Sequence, residues 1–338
     1  MSTAKALWRD PTGRFAVVVV VAVVLVAAVS LVWLPYPLLQ ADSSQRWSGS
    51  SLAHPLGTDQ IGRDNLSWLM AGARTAVVVA VGSTLVAGLI GLPLGAAVAL
   101  ARTRLSEVLI VLVDVLIAFP TLMVAMALAA SLGASLATVV VAVGSAQAVR
   151  IARVVRPEIV RVAGSDFVLA AKAAGTRPLA RFGRHVLPNT APVMLVQLSM
   201  TAAVAILAEA GLTFLGYGAA SGTPSWGRSL AQSQGLIGVE PLAVLWPGLT
   251  IAVVVLALNL LGDVLRQVGD PRLGSPRQPA SNGPTVPDPR GPRERSGRRA
   301  ERAGGFVGWG AVGLGPVVGS VTRGPGRSRR LELEPVGR

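Results

Sequence analysis

The 338-residue chain is 51% hydrophobic and only 14% charged, with 31 Lys and Arg against 17 Asp and Glu, a formal net charge of +14. The absence of cysteine excludes disulfides, thiolate catalysis and Cys-ligated metals, and the two histidines, His54 and His185, are too few for a histidine metal centre. A basic balance also suits nucleic-acid phosphates, but here the positive charges gather at the ends of apolar runs, in 150–184 and in the C-terminal region. That distribution follows membrane topology, so no nucleic-acid partner is expected.

The first apolar run, "FAVVVVVAVVLVAAVSLVWL" at 15–34, follows Lys5, Arg9 and Arg14. It exceeds the apolar core of about 7–15 residues in a cleaved signal peptide, so a retained anchor is expected, its basic flank in the cytoplasm. The segment "HPLGTDQIGRDNLSWLMAGAR" at 54–74 places turn-forming Gly57 and Gly62 among Thr58, Asp59, Arg63 and Asp64. Thr58, Asp59 and Asp64 are cap-capable, so the segment reads either as a structured outer vestibule or as helix caps with Trp68 as an interfacial anchor. His54, beside Pro55, reads as a solvent-side turn residue.

A second span is expected over 75–101, with Gly88, Gly91 and Gly95 making a small-residue face around Pro93. Residues 108–149 contain one charge, Asp114, and are too long for a single crossing of about 30 Å. They divide into two spans near Gly133, with Pro120 kinking the first. A fifth span is expected over 191–215 and a sixth over 241–262. Two charges fall inside spans, Asp114 and Glu209; each either faces a solute path or hydrogen-bonds across helices. Residues 274–338 turn to Pro, Gly, Arg and Ser, which predicts a disordered tail that can touch anionic lipid.

Six spans starting inside put 150–190 and the C-terminal region in the cytoplasm. Arg150, Arg153, Arg156, Arg161, Lys172, Arg177, Arg181 and Arg184 outnumber Glu158 and Asp166 there, as the positive-inside rule requires. Within this stretch, "SDFVLAAKAAGTRPLARFGRHVLPN" at 165–189 sets Phe167, Ala170, Ala171 and Ala174 on one face of a short helix. Asp166 suits its N-terminus and Gly175 its end; a second helical piece is expected from Pro178 to the "LPN" at 187–189. The helix reads either as a docking surface or as an amphipathic connector lying on the bilayer. With no G-x-x-x-x-G-K-[ST] loop the chain cannot itself be an ATP motor, and it lacks the H-E-x-x-H and G-x-S-x-G signatures of membrane enzymes.

"LAAKAAG" at 169–175, followed by Leu187 and Pro188, resembles the EAA loop of ABC-importer permeases. The 54–74 segment, "DVLIAFPTLMVA" (114–125), "ILAEAGLTFLGYG" (206–218), "TPSWGRSLAQ" (223–232) and "NLLGDVLRQVGDPRL" (259–273) are similar to one branch. That branch comprises the dipeptide, oligopeptide and nickel importers, specifically their C-type permease, and the likeness covers nearly all of 1–273. It implies an all-α polytopic protein with six transmembrane helices, the type I importer permease fold and a cytoplasmic coupling helix. Its domains would be an anchor helix and outer segment (1–73), a five-span core with the loop (74–273) and the tail (274–338). It also implies a plasma-membrane location and a pore shared with a second, homologous permease. Two ATPase subunits that hold the ATP and Mg would dock on the loop, and an extracytoplasmic binding protein would deliver peptides, nickel or other small solutes. No cofactor is expected on this chain. Leu169 stands where the family usually has Glu, which removes a charge-assisted bond of about 1–3 kcal/mol; Phe167, Ala170, Ala171 and Gly175 keep the shape. A rival expectation, an ion-coupled secondary transporter, needs midplane ion sites, for which only Asp114 and Glu209 offer themselves.

Overall fold

The computed structural model describes residues 8, 10–238 and 241–269. The expected tail, 274–338, lies outside the described residues, as does the end of the 259–273 motif. Hydrocarbon offers the backbone no hydrogen-bond partner, and helices satisfy every group internally. Accordingly the described residues fold as helices, with one isolated bridge, Thr58 to Asp64, outside them.

Helix α1 (Pro11–Val32) starts where the Asp10 carboxylate accepts from Thr12 N and Pro11 pre-sets the first turn. Helix α2 (Asn65–Leu100) is 36 residues long and begins ten residues before the expected 75–101 span. Hydropathy sees only the apolar part; Asp64 caps the helix, so its polar opening turns are already helical. Helices α3 (Thr103–Ala118) and α4 (Thr121–Leu132) meet at 78°. Pro120 has no N–H to continue the ladder and pushes Phe119 into extended backbone, which breaks the span at an elbow.

Helix α5 (Leu136–Ala163), capped by Ser135, runs unbroken past Arg150. The expected loop therefore begins at Gly164 rather than 150: Pro157 and the arginines are accommodated in one 28-residue helix. Helix α6 (Asp166–Ala173) follows, then α7 (Pro178–Arg181), a π-turn (Phe182–Val186) and α8 (Leu187–Phe214). "LPN" does not end a helical piece, contrary to the sequence expectation. The wide turn, in which Leu187 N donates to Phe182 O, accommodates Pro188, and Pro178–Phe214 is one rod of 37 residues. A short α9 (Trp226–Ser233) and α10 (Pro241–Gly269) complete the described chain. Among the described residues five rods are long and apolar enough to cross a membrane, and the bent α3–α4 pair supplies a sixth crossing if counted as one.

Helix α2 is central, packed by α5, α8 and α1. Its contact with α5 depends on missing side chains: a Cβ on Gly91 would meet Ala148 O at 2.7 Å, and one on Gly144 would meet Val86 Cβ at 2.6 Å. With lipid as apolar as leucine, such close approach and its dispersion contacts hold membrane helices together. An inner cluster of Ala87, Ile151, Ile159, Val162, Val186 and Met194 ties α2, α5 and the foot of α8 into one block.

Candidate functional site

The inner block carries α6. Asp166 in its first turn and Lys172 in its last both suit the helix dipole. Val168, 3% exposed, packs into the inner cluster and fixes α6 to the end of α5. Phe167 meets the His185 ring edge-on, centroids 6.4 Å apart, and much of the remaining surface of α6 is left uncovered by the described residues. Phe167 and Leu169 are about half exposed (49% and 48%), Ala170 and Ala174 are exposed, and Ala171 is half-buried. The residue at the helix end, Gly175, has φ +78°. Its N–H donates to Lys172 O and Thr176 N–H to Ala171 O, the paired bonds that close a helix on a left-handed residue. Leu179 on α7 is 83% exposed nearby in sequence, an apolar position that the periodicity of α6 alone does not reach. Leu187 and Pro188 stand in the first turn of α8, in the rod rather than on α6.

The 54–64 residues form a knot that starts α2. Gly57 and Gly62 take positive φ, and Asp59 Oδ1 accepts from the N–H groups of Ile61 and Arg63 at 2.9 Å. Thr58, buried, accepts from Ser48 N through its hydroxyl. Asp64, 3% exposed, accepts from Ser67 N and Oγ at one oxygen and meets His54 Nδ1 at 3.0 Å with the other. His54 is therefore buried, its ring 4.6 Å from that of Tyr36, and not the solvent-side residue expected from its Pro neighbour. The Arg63 guanidinium lies 4.8 Å over the Trp68 ring. Thr58, Asp59, Asp64 and His54 are thus hydrogen-bonded, and the knot caps a helix.

Glu209, 1% exposed, organises the other end of α8. Its Oε1 accepts from the hydroxyls of Thr213 and Ser225, each at 2.8 Å. Thr213 Oγ1 in turn accepts from Ala219 N, and Ser225 Oγ from Gly227 N. Trp226 Nε1 donates to Leu69 O, and Thr75 Oγ1 to Pro224 O, so the 215–233 segment is clasped to both α8 and α2. A Cβ on Gly227 would meet Ala210 O at 2.1 Å. The cross-helix alternative for Glu209 is thus the one its geometry supports. Ser225 escaped the sequence reading as its partner, since fifteen intervening residues hide the pairing.

Asp114 on α3 pairs with Arg153 on α5 at 2.8 Å, with both side chains about half exposed (44% and 57%). Arg150 reaches Thr121, just beyond the elbow, at 3.4 Å. The structure brings Asp114 and Glu209 to different elements with different partners, so they do not make one site.

Residues 91–275 match the sequence pattern of the binding-protein-dependent transport system inner membrane component family. A Brucella abortus chain provisionally named a peptide transport system permease protein is 37% identical over 80% of this chain and 91% of its own length. The dipeptide transport system permease protein DppC of Alkalihalophilus pseudofirmus is 32% identical over 81% and 92% of the two chains. The nickel transport system permease protein NikC of Escherichia coli K12 is 31% identical over 77% and 94%. In fold, the chain is similar to one from the MetNI methionine ABC transporter solved in inward-facing conformations, with TM-score 0.51 and 18% identity over 60% of this chain and 96% of that one. The chain is a permease of the binding-protein-dependent transport system inner membrane component family, an all-helical multi-pass membrane protein of the ABC-importer type.

Proposed function

We propose that this chain forms one half of the pore of an ATP-driven importer of di- and oligopeptides, with nickel complexes as the nearest alternative cargo. The relatives named for dipeptide and nickel transport support that range. The bent α3–α4 pair counts as one of six spans, and both termini face the cytoplasm, a topology that puts α6 inside with the arginine-rich end of α5. A homologous permease closes the pore, a binding protein loads its outer mouth, and two ATPase subunits supply work through α6. ATP and Mg belong to those subunits.

One observation carries the reading: α6 leaves Phe167 and Leu169 about half exposed on its two flanks while Val168 between them locks the helix into the cluster that joins α5 and α8. An apolar surface on a firmly held helix can pass a displacement to the spans instead of absorbing it. Leu169 in place of an acid makes the contact one of shape and apolar area. Coupling further requires that the docked helix bind the two motor states unequally, since equal affinity would shift nothing.

The chain has no native thiol, so Phe167→Cys introduces a unique one. In membranes holding the whole transporter, a short bifunctional thiol reagent should join it to an ATPase subunit carrying an engineered cysteine in its docking groove. Uptake of a dipeptide should persist when the proton gradient is collapsed at constant ATP. Loss of uptake under that treatment, with ATP verified, would instead support ion coupling.

A further inference from the structure

Asp114 and Arg153 pair with each other, yet each side chain remains about half exposed. Asp114 lies about one turn before the end of α3, and Arg153 faces it from the arginine-bearing half of α5. Charges on a membrane-spanning helix are retained when they face water or protein. Glu209, by contrast, is sealed and satisfied by hydroxyls. Beside the Asp114–Arg153 pair is a cavity of about 200 Å³ lined by Val98, Ile110, Asp114, Arg153, Arg156 and Pro157. Arg156 makes no hydrogen bond or ion pair with any described residue, and its Nε is cut off from solvent without a partner. Arg153 gives Asp114 one nitrogen, Nη1, at 2.8 Å. Two guanidinium groups against one carboxylate leave the cavity net positive, with planar donors unspent.

We infer that this α2–α3–α5 cavity is a wetted part of the translocation wall and a weak subsite for the carboxylate end of a passing peptide. The inference rests on the import function proposed above. Guanidinium donors match a carboxylate in a planar, two-point manner. Asp114 competes for Arg153, which keeps the anion from being held tightly, as a conduit must both admit and release its solute. The volume suits a chain terminus, and the rest of the peptide extends outside it.

The test uses inside-out vesicles with the complete transporter and Ile110→Cys in this otherwise cysteine-free chain. Ile110 lines the cavity and bears no charge. Labelling of this chain by an anionic sulfonatoethyl and a cationic trimethylammonioethyl methanethiosulfonate is compared, with Leu25→Cys, exposed on the uncharged stretch of α1 after Arg14, as the lipid-facing control. After correction for the reagents' intrinsic rates, Ile110→Cys should react while Leu25→Cys does not, with a bias of about tenfold toward the anion. Adding Arg156→Gln should collapse the bias and Asp114→Asn should raise it. Alanyl-alanine in excess should slow the labelling, and alanyl-alanine amide should not. If Ile110→Cys fails to insert, Val98→Cys replaces it at the same cavity. Reactivity no greater than at Leu25→Cys overturns the wetted wall; a bias indifferent to Arg156→Gln, or equal protection by acid and amide, overturns the carboxylate subsite. ATP-dependent uptake by the unsubstituted complex is measured alongside, so failure of the import reading is seen separately.

Discussion

Replacing Glu209 by leucine would leave the Thr213 and Ser225 hydroxyls without their shared acceptor in a sealed site. Leaving buried polar groups unsatisfied costs about 1–3 kcal/mol. Glu209→Leu should therefore lower the melting temperature of the detergent-purified transporter and expose the 215–233 segment to protease, while Glu209→Gln, which keeps a carbonyl acceptor, should change little. A melt indistinguishable between Glu209→Leu and the parent would contradict the clasp. Asp64→Ala removes a helix cap and the partner of buried His54 together. It should destabilise by about 1–2 kcal/mol, read in the same melts, since cap loss alone is typically about 1 kcal/mol. At this scale the sequence was partly legible. "GRD" before a helical run announces a cap, and Asp64 is one. The burial of His54 was hidden, because it depends on Tyr36 and Asp64 arriving from separate turns. Arg153 as partner of Asp114 was equally invisible from spacing alone.

Among the elements, the elbow between α3 and α4 tests how a single imino acid shapes a span. Pro120→Ala restores an N–H and frees Phe119 from the extended region, so α3 and α4 can join into one straighter helix. The expected result is normal insertion, since length and hydropathy are unchanged, with transport reduced at least about tenfold by displacement of the Asp114–Arg153 and Arg150–Thr121 contacts. Wild-type uptake by this variant would show that the bend is incidental. Pro120 and Gly133 were readable as breaks because each acts locally. The ends of α2 and α5 were misjudged for the opposite reason: polar or arginine-bearing turns are helical there because neighbours hold them, and hydropathy does not report that. The π-turn had no local signature either. Leu187–Pro188 read as an end, and the rod instead widens its hydrogen-bond ladder to pass it.

For the whole molecule, a substitution at Gly175 tests the proposed coupling apart from folding. A Cβ there would meet nothing within 4 Å, so the chain has room for a larger residue at that point. Its φ of +78° costs an ordinary residue about 1–2 kcal/mol, a cost aspartate tolerates better than most. Gly175→Asp should therefore insert at parental levels yet abolish ATP-dependent uptake, by placing bulk and charge at the end of the docking surface. Uptake at the parental rate would remove the role assigned to α6. Apart from 259–273, whose end lies outside the described residues, the motifs that carried the family likeness lie in the knot, the elbow, α6 with its continuation into α8, and the clasp. They mark places where backbone geometry is constrained, which explains why they were readable when helix lengths were not.

The unbroken rod from Pro178 to Phe214 has a mechanical corollary. At about 1.5 Å per residue it extends roughly 55 Å, with one extremity near α6 and Glu209 close to the other. A tilt of a few degrees about its middle would swing both extremities by an ångström or more in opposite senses. Events at the nucleotide-binding side would then be felt at the far opening as leverage, without any wave of local refolding between them.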